Sequence, residues 1–302
     1  MAFAIGIYGY TFTKAFELRA KRFEPLYQDH RTACARGRNT EAFHLTGLLL
    51  TPANSLSELR ASTAMFFDLE AALTFCEQQR VALSHSVQLM PGEDARTMLM
   101  SDKPNEVKNS LPLQLGVSNS LFRRGIRPTS GACLQFDAFA PETRIRFLEL
   151  VTKKLADPDF QRETGFRSAF FRNTEIARMG EAPIDVIYSL VFTGLELLAR
   201  KNLKSGSKKE KLSDLLEGFL SKLGFKPTVD EAGQIATCRN ALFHRGEYDG
   251  TYWHSESKQK QSIKITDLPR IEVLFADVLL KVLGFDAPEI NWNRWRDRMA
   301  FK

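Results

Sequence analysis

Arg239, Asn240 and His244 stand together in CRNALFHRGEYDG (238–250), a stretch that otherwise reads as buried helix. A guanidinium in such a setting needs an internal carboxylate or an anionic ligand, so the chemistry in question is the holding of negative charge. Spacing alone does not single the motif out. Of the five histidines, three follow an arginine by five or six positions, in the pairs Arg38–His44, Arg80–His85 and Arg239–His244. The first runs from a glycine-containing turn into a strand, and the second crosses a helix-to-strand junction and reads as a core or edge histidine.

Helical geometry gives the third pair definable places. At about 100° per residue, Val229, Ala232, Ile235, Ala236, Leu242 and Phe243 share one arc that also contains Arg239. Asn240 and His244, four apart, share the neighbouring polar edge, and Gly246 ends the helix. Glu196 is stranded in the apolar segment VFTGLELL and is the natural internal partner for Arg239. A structural and a functional role for the arginine both stand at this point, because a carboxylate can also hold a guanidinium in a working orientation.

The elements that carry these residues have explicit punctuation. PIDVIYSLVFTGLELLAR opens with Pro183 and is apolar almost all round, as a central helix should be. A second helix is expected from Ser207, with a Ser207/Glu210 capping box, a stripe of Leu212, Leu215, Leu216, Phe219, Leu220 and Leu223, and Gly224 at its end. The motif helix starts with a Thr228/Glu231 capping box. A fourth runs from Asp267 to Gly284, completing a four-helix bundle over roughly residues 160–285. The first half reads instead as α+β with a mostly antiparallel sheet. FELRAKRF, VALSHSVQL and ACLQFDAF alternate as half-buried strands, DLEAALTFCEQQR (68–80) and PETRIRFLELVTKKLA are helices, and 91–119 is mainly loop. The boundary falls in ADPDF, giving domains 1–157 and 158–302.

Length and composition fit a chain of two globular domains: 302 residues, 26% charged, net charge +6. The positive balance favours an anionic partner such as nucleic acid. Cys34, Cys76, Cys133 and Cys238 lie far apart without CxxC or zinc-type His/Cys spacing, so they read as buried thiols with no metal and no cofactor. No carboxylate cluster suggests a metal nuclease, and there is no phosphate loop. No apolar run reaches the roughly 18 residues of a membrane span, and MAFAIGIYGYTF lacks the features of a secretory leader, so the expectation is a cytoplasmic protein with no membrane partner.

Arg239-Asn240-x-x-x-His244-x-Gly246, on the third helix of a bundle whose first helix is the glutamate-bearing VIYSLVFTGLELL, resembles the HEPN domain, most closely the Apea-like HEPN proteins of bacteria. The resemblance covers the C-terminal half and implies an all-α bundle with metal-independent endoribonuclease activity on an RNA substrate, tRNA or mRNA. The ribose 2′-OH attacks the adjacent phosphorus, which calls for a proton acceptor, a proton donor to the leaving 5′-oxygen and positive charge on the phosphorane. His244 then serves as acid/base, Arg239 as phosphate clamp, Asn240 as an orienting group, and Glu196 and Arg245 as supporting residues. The family habit is a homodimer acting in anti-phage defence or as a toxin. Arg239 and His244 lie about 140° apart on an ideal helix, so a composite site built from two chains is expected. An N-terminal domain sensing an activator or phage component fits the same habit.

Two features suggest RNA contacts: Lys204, Lys208, Lys209 and Lys211 in KNLKSGSKKEK, and the tail NWNRWRDRMAFK, where Trp292 and Trp295 alternate with Arg294, Arg296 and Arg298. A solvated loop and a packed tail are the alternative readings. The position two after the histidine is Gly246, with Tyr248 four after, so silencing by nucleotide transfer to a tyrosine at that position has no acceptor. The rival readings are a non-catalytic HEPN module that binds RNA or protein, and a scaffold in which Arg239–Glu196 is purely structural.

Overall fold

A computed structural model describes residues 2–37, 44–95, 133–179, 182–203 and 211–297. The chain is mixed α and β and divides into two compact units, the first comprising 1–156 with 177–181, the second 157–176 with 182–302. No helix among the described residues is long and apolar enough to cross a membrane.

The first unit is built on a five-stranded antiparallel sheet. Its strands are β1 (Ala2–Tyr8), β2 (Phe16–Leu18), β3 (Lys21–Pro25), β4 (Leu45–Pro52) and β5 (Ala82–Leu89), in the order β2-β3-β4-β1-β5. FELRAKRF is not one strand. Arg19 and Ala20 take φ of 50° and 58°, which folds the segment into the β2–β3 hairpin and pairs Glu17 with Arg22. Central strands β1 and β4 are buried on both faces, with Phe3, Ala4, Ile5, Leu48 and Leu49 all nearly inaccessible. His85 is exposed on the edge strand β5, which settles the second arginine–histidine pair as an edge histidine. In the first pair Arg38 lies outside the described residues, while burial and the Arg36 guanidinium hold the His44 imidazole below its ordinary pKa.

Helices α1 (His30–Gly37), α2 (Leu56–Ala61), α3 (Thr63–Glu77) and α4 (Pro141–Leu155) complete this unit. The α3 helix starts before the expected Asp68 and stops at Gln78, whose φ of 48° makes it a left-handed cap. It packs on α4 through stacked Phe75 and Phe147. ACLQFDAF forms no strand over its described part. Residues 133–139 are a series of turns held by the Leu134 N–H bond to the Cys76 carbonyl, and its apolar residues Leu134 and Phe139 fill the core one by one. Arg144 crosses this core to donate to Glu77 and to the Thr11 carbonyl.

The second unit holds α5 (Pro158–Thr164), most of α6 (Phe166–Met179), α7 (Ile184–Asn202), α8 (Leu212–Lys222), α9 (Val229–Arg245) and α10 (Ile271–Leu283). It is not all helical. Between α9 and α10 lies an antiparallel hairpin of β6 (Asp249–His254) and β7 (Gln259–Lys264), packed on α9. Helix α7 contacts α5, α8, α9 and α10. Gly194 permits the approach of α10: a Cβ there would sit 2.1 Å from the Phe275 ring. Although apolar in sequence, α7 is not buried all round, for Ile184 and Val186 near its start are each 37% exposed. The described part of α8 begins at Leu212 after Lys211, and the Ser207/Glu210 pair lies outside the described residues. Pro269 delays α10 to Ile271, and Ile265–Asp267 form a 3-10 turn instead of its first turn.

Candidate functional site

The ends of α9 are firmly specified. Thr228 Oγ1 accepts from the Glu231 N–H at 3.1 Å while Glu231 returns the bond to the Thr228 N–H at 2.7 Å. At the other end Gly246 takes φ 67°, its N–H bonds to the Leu242 carbonyl, and the Glu247 N–H reaches back to Ala241. Between these caps the buried positions are Ala232, Ile235, Ala236, Cys238 and Ala241. The expected apolar arc is therefore corrected: Val229 and Phe243 are 58% and 41% exposed, because the hairpin covers the Thr237/Ala241 side of the helix and α7 and α8 pack against the rest. Arg239 sits at the margin of that buried surface rather than inside it.

The guanidinium of Arg239 runs toward the helix C-terminus and gathers the other motif residues. Its Nη2 donates to Glu196 Oε2 at 2.9 Å, and its Nη1 donates to Asn240 Oδ1 at 3.0 Å and lies 3.5 Å from His244 Nε2. Its carbon lies 5.0 Å from the Phe243 ring centroid. An arginine only donates, so Nη1 can bond to His244 only where Nε2 offers its lone pair. The 140° separation on the helix is thus overcome within one chain by the length of the arginine side chain. The geometric premise for a site composed from two chains fails.

Glu196 is occupied on both oxygens. Its Oε1 accepts from Arg200 Nε and Nη2 at 2.9 and 2.8 Å, while Oε2 holds Arg239. The Glu196 and Arg239 side chains are 17% and 21% exposed, between the surface and buried regimes of ion pairing. A double-mutant cycle on Glu196→Ala and Arg239→Ala is expected to give a coupling of about 1–2 kcal/mol in chemical denaturation, with Glu196→Ala the costlier single change because it strands two guanidiniums. Additive effects would remove the clamp.

Asn240, His244 and Arg245 are exposed. Arg245 turns to Glu247 and does not join the cluster. Lys211 is exposed at the start of α8, whereas Lys204, Lys208 and Lys209 lie outside the described residues. The tail is packed, in line with the packed reading set beside an RNA contact in the sequence. Trp295 is 1% exposed, Arg294 clasps Asp277 with bonds of 2.5 to 3.1 Å, and Arg296 binds Glu231. Lys281 Nζ covers the Trp292 ring at 3.7 Å. Arg298 lies outside the described residues. Arg200 was not singled out in the sequence and Phe243 was placed only on the apolar arc; the i, i+4 spacings Glu196–Arg200 and Arg239–Phe243 are the signals that point to their place beside the cluster.

The fold and geometry define a solvent-facing arginine–asparagine–histidine cluster at a helix C-terminus, its arginine anchored by a carboxylate from the neighbouring helix. Such a cluster offers fixed positive charge beside an exposed imidazole, the means to bind an anion and move a proton. No protein-family model, curated protein or solved structure matches the chain.

Proposed function

We propose that the chain is a HEPN-type endoribonuclease that cleaves RNA by attack of the ribose 2′-OH on the adjacent phosphorus, leaving 2′,3′-cyclic phosphate ends. The observation that carries this reading is the convergence of Arg239, Asn240 and His244 at one exposed point, with Arg239 Nη1 3.5 Å from His244 Nε2. A phosphate oxygen arriving there takes the place of Asn240 Oδ1 as acceptor for Nη1. The guanidinium then lies against the charge that builds on the phosphorane, while Glu196 keeps it from swinging away. His244 is the proton-transfer group, and Asn240, freed from Nη1, orients the phosphate. Both oxygens of Glu196 are taken by arginines, so the carboxylate of this cluster is committed to cations the protein itself supplies. The chemistry proposed is accordingly acid–base and electrostatic.

Two chains are the working unit in this proposal, for a reason different from the one the helix angle suggested. The reaction needs a proton acceptor and a proton donor at once, the cluster of each chain contributes one imidazole, and a two-fold arrangement supplies the second. The exposed Phe243 beside the cluster offers apolar surface for such a contact. The exposed Lys211 is proposed to touch the RNA backbone, and the sheet-containing first unit to sense the activating signal in a defence or toxin role. Arg239 also carries a second reading, a non-catalytic module binding RNA or a protein, favoured by the Glu196 bond that already satisfies one of its terminal nitrogens.

The 2′-OH requirement separates these. An RNA oligonucleotide is expected to be cut and its DNA counterpart of the same sequence left intact, both in excess chelator. Cleavage of both, or of the DNA alone, would contradict in-line attack by a ribose hydroxyl.

A further inference from the structure

In the first unit, three metal-ligating side chains converge, two from one helix and the third from about a hundred residues further along the chain. Asp29 accepts from the Thr32 N–H at 2.7 Å and so caps α1, which places His30 at its first helical position. Cys34 lies four residues on, on the same face. Asp137 reaches the same point from the turns before α4. Its Oδ1 is 2.9 Å from His30 Nε2 and 3.4 Å from Cys34 Sγ, and Cys34 Sγ is 4.0 Å from His30 Nδ1. One donor atom from each residue lies within 4.8 Å of the other two. Around them, the Phe136 ring stacks on His30 at 4.9 Å, and Gln135 Nε2 donates to Asp137 Oδ2 at 3.4 Å. These outer contacts are of the kind that orient ligands.

We propose that His30, Cys34 and Asp137 form a binding site for a zinc-class divalent cation, joining α1 to the turns at 133–139. Imidazole nitrogen, thiolate and carboxylate oxygen are the donor types of four-coordinate zinc, and tetrahedral bonds of about 2.0–2.3 Å place neighbouring donors about 3.3–3.8 Å apart. His30 Nε2 and Cys34 Sγ lie 2.9 and 3.4 Å from Asp137 Oδ1, and the 4.0 Å approach of Cys34 is to the other ring nitrogen; with one nitrogen as ligand the three donors lie within 4.8 Å of one another, within reach of small side-chain rotations. The fourth position faces solvent, for the His30 side chain is 62% exposed, and takes water or an outside ligand.

The same atoms resemble a thiol–imidazole nucleophile, but the hydrogen bonding opposes that use: Cys34 Sγ donates to Asp137 Oδ1 at 3.4 Å, whereas the imidazole that would take its proton lies 4.0 Å away. When a divalent cation binds, the thiol proton leaves to solvent and both anions bond to the metal. The proposal is independent of the ribonuclease reading, since these residues belong to the first unit and the arginine–histidine cluster to the second.

Cysteine reactivity in the folded full-length chain tests it. Cys76, Cys133 and Cys238 are buried, and burial pushes the Cys238 thiol up to about 12, so Cys34 is the thiol a reagent reaches. After chelation and desalting, one equivalent of Zn²⁺ is expected to slow alkylation of Cys34 by about tenfold or more, because the coordinated thiolate is no longer available. Co²⁺ is expected to produce a thiolate-to-metal charge-transfer band. His30→Ala and Asp137→Ala should each weaken Co²⁺ binding by more than about tenfold. An alkylation rate unchanged by excess Zn²⁺, with no charge-transfer band from Co²⁺, overturns the site in the unaltered protein, whether or not metal binds elsewhere.

Discussion

His244→Ala should lower RNA cleavage by about 10²–10⁴-fold, the range for loss of a general acid–base group, while leaving the melting temperature nearly unchanged. The separation of the two effects follows from where the residue sits. His244 is exposed in the last turn of α9, and its one contact in the cluster is the 3.5 Å approach to Arg239, so removing the ring opens no cavity and strands no buried partner. Arg239→Ala should lower both cleavage and stability, because it also leaves Glu196 with one cation instead of two. A module that only binds RNA would respond differently. His244→Ala would then shift affinity modestly, in line with loss of a single surface contact, and there would be no cleavage to lose.

Asp277→Ala should destabilise the protein by about 3–5 kcal/mol, on the order of 10 °C in melting temperature for a domain of this size, without lowering the RNA affinity of the molecules that remain folded. Asp277 is fully buried in α10 and takes bonds from both Nε and Nη2 of Arg294, itself 6% exposed at the side chain. Removing the carboxylate leaves a guanidinium in the protein interior without its counter-ion. Replacing both residues by apolar ones, Asp277→Leu with Arg294→Met, should recover much of the loss, since a buried pair contributes less than either of its halves costs when alone. A tail that served RNA would behave in the opposite way: Arg294→Ala would weaken RNA binding with marked salt dependence and spare stability. Thermal denaturation of these variants together with filter binding at two salt concentrations distinguishes the cases.

What could be read from the sequence followed from how strongly each signal was local. The Thr228/Glu231 capping box and the glycines at 246 and 284 mark helix ends because cap geometry depends on adjacent residues only. The central strands β1 and β4 escaped a search for alternation because both of their faces are buried; AFAIGIY and LTGLLLTP are continuous apolar runs with no period of two. ACLQFDAF alternates without being a strand, its apolar residues entering the core from successive turns. The β6–β7 hairpin left a trace in the alternating SIKI segment and the polar turn before it, but the run of helices on either side made an all-helical reading persuasive.

The candidate site was legible in its composition and not in its geometry. Residue types and helical phase brought Arg239 and Glu196 together, because both are charged groups stranded among apolar ones. Ideal helix angles placed Arg239 and His244 on different faces, since such angles locate Cβ atoms and ignore the length of an arginine side chain. Long-range pairs that depend on turns, such as Asp137 with His30, carry no local signal at all.

The central claim is tested most directly by incubating total cellular RNA, with tRNA resolved separately, with the purified wild-type and His244→Ala proteins in excess EDTA and mapping the product ends. Cleavage by the wild type alone, ending in 2′,3′-cyclic phosphates, is the predicted result. Equal products from both proteins, each shown to be folded, would contradict the assignment of His244 to the reaction.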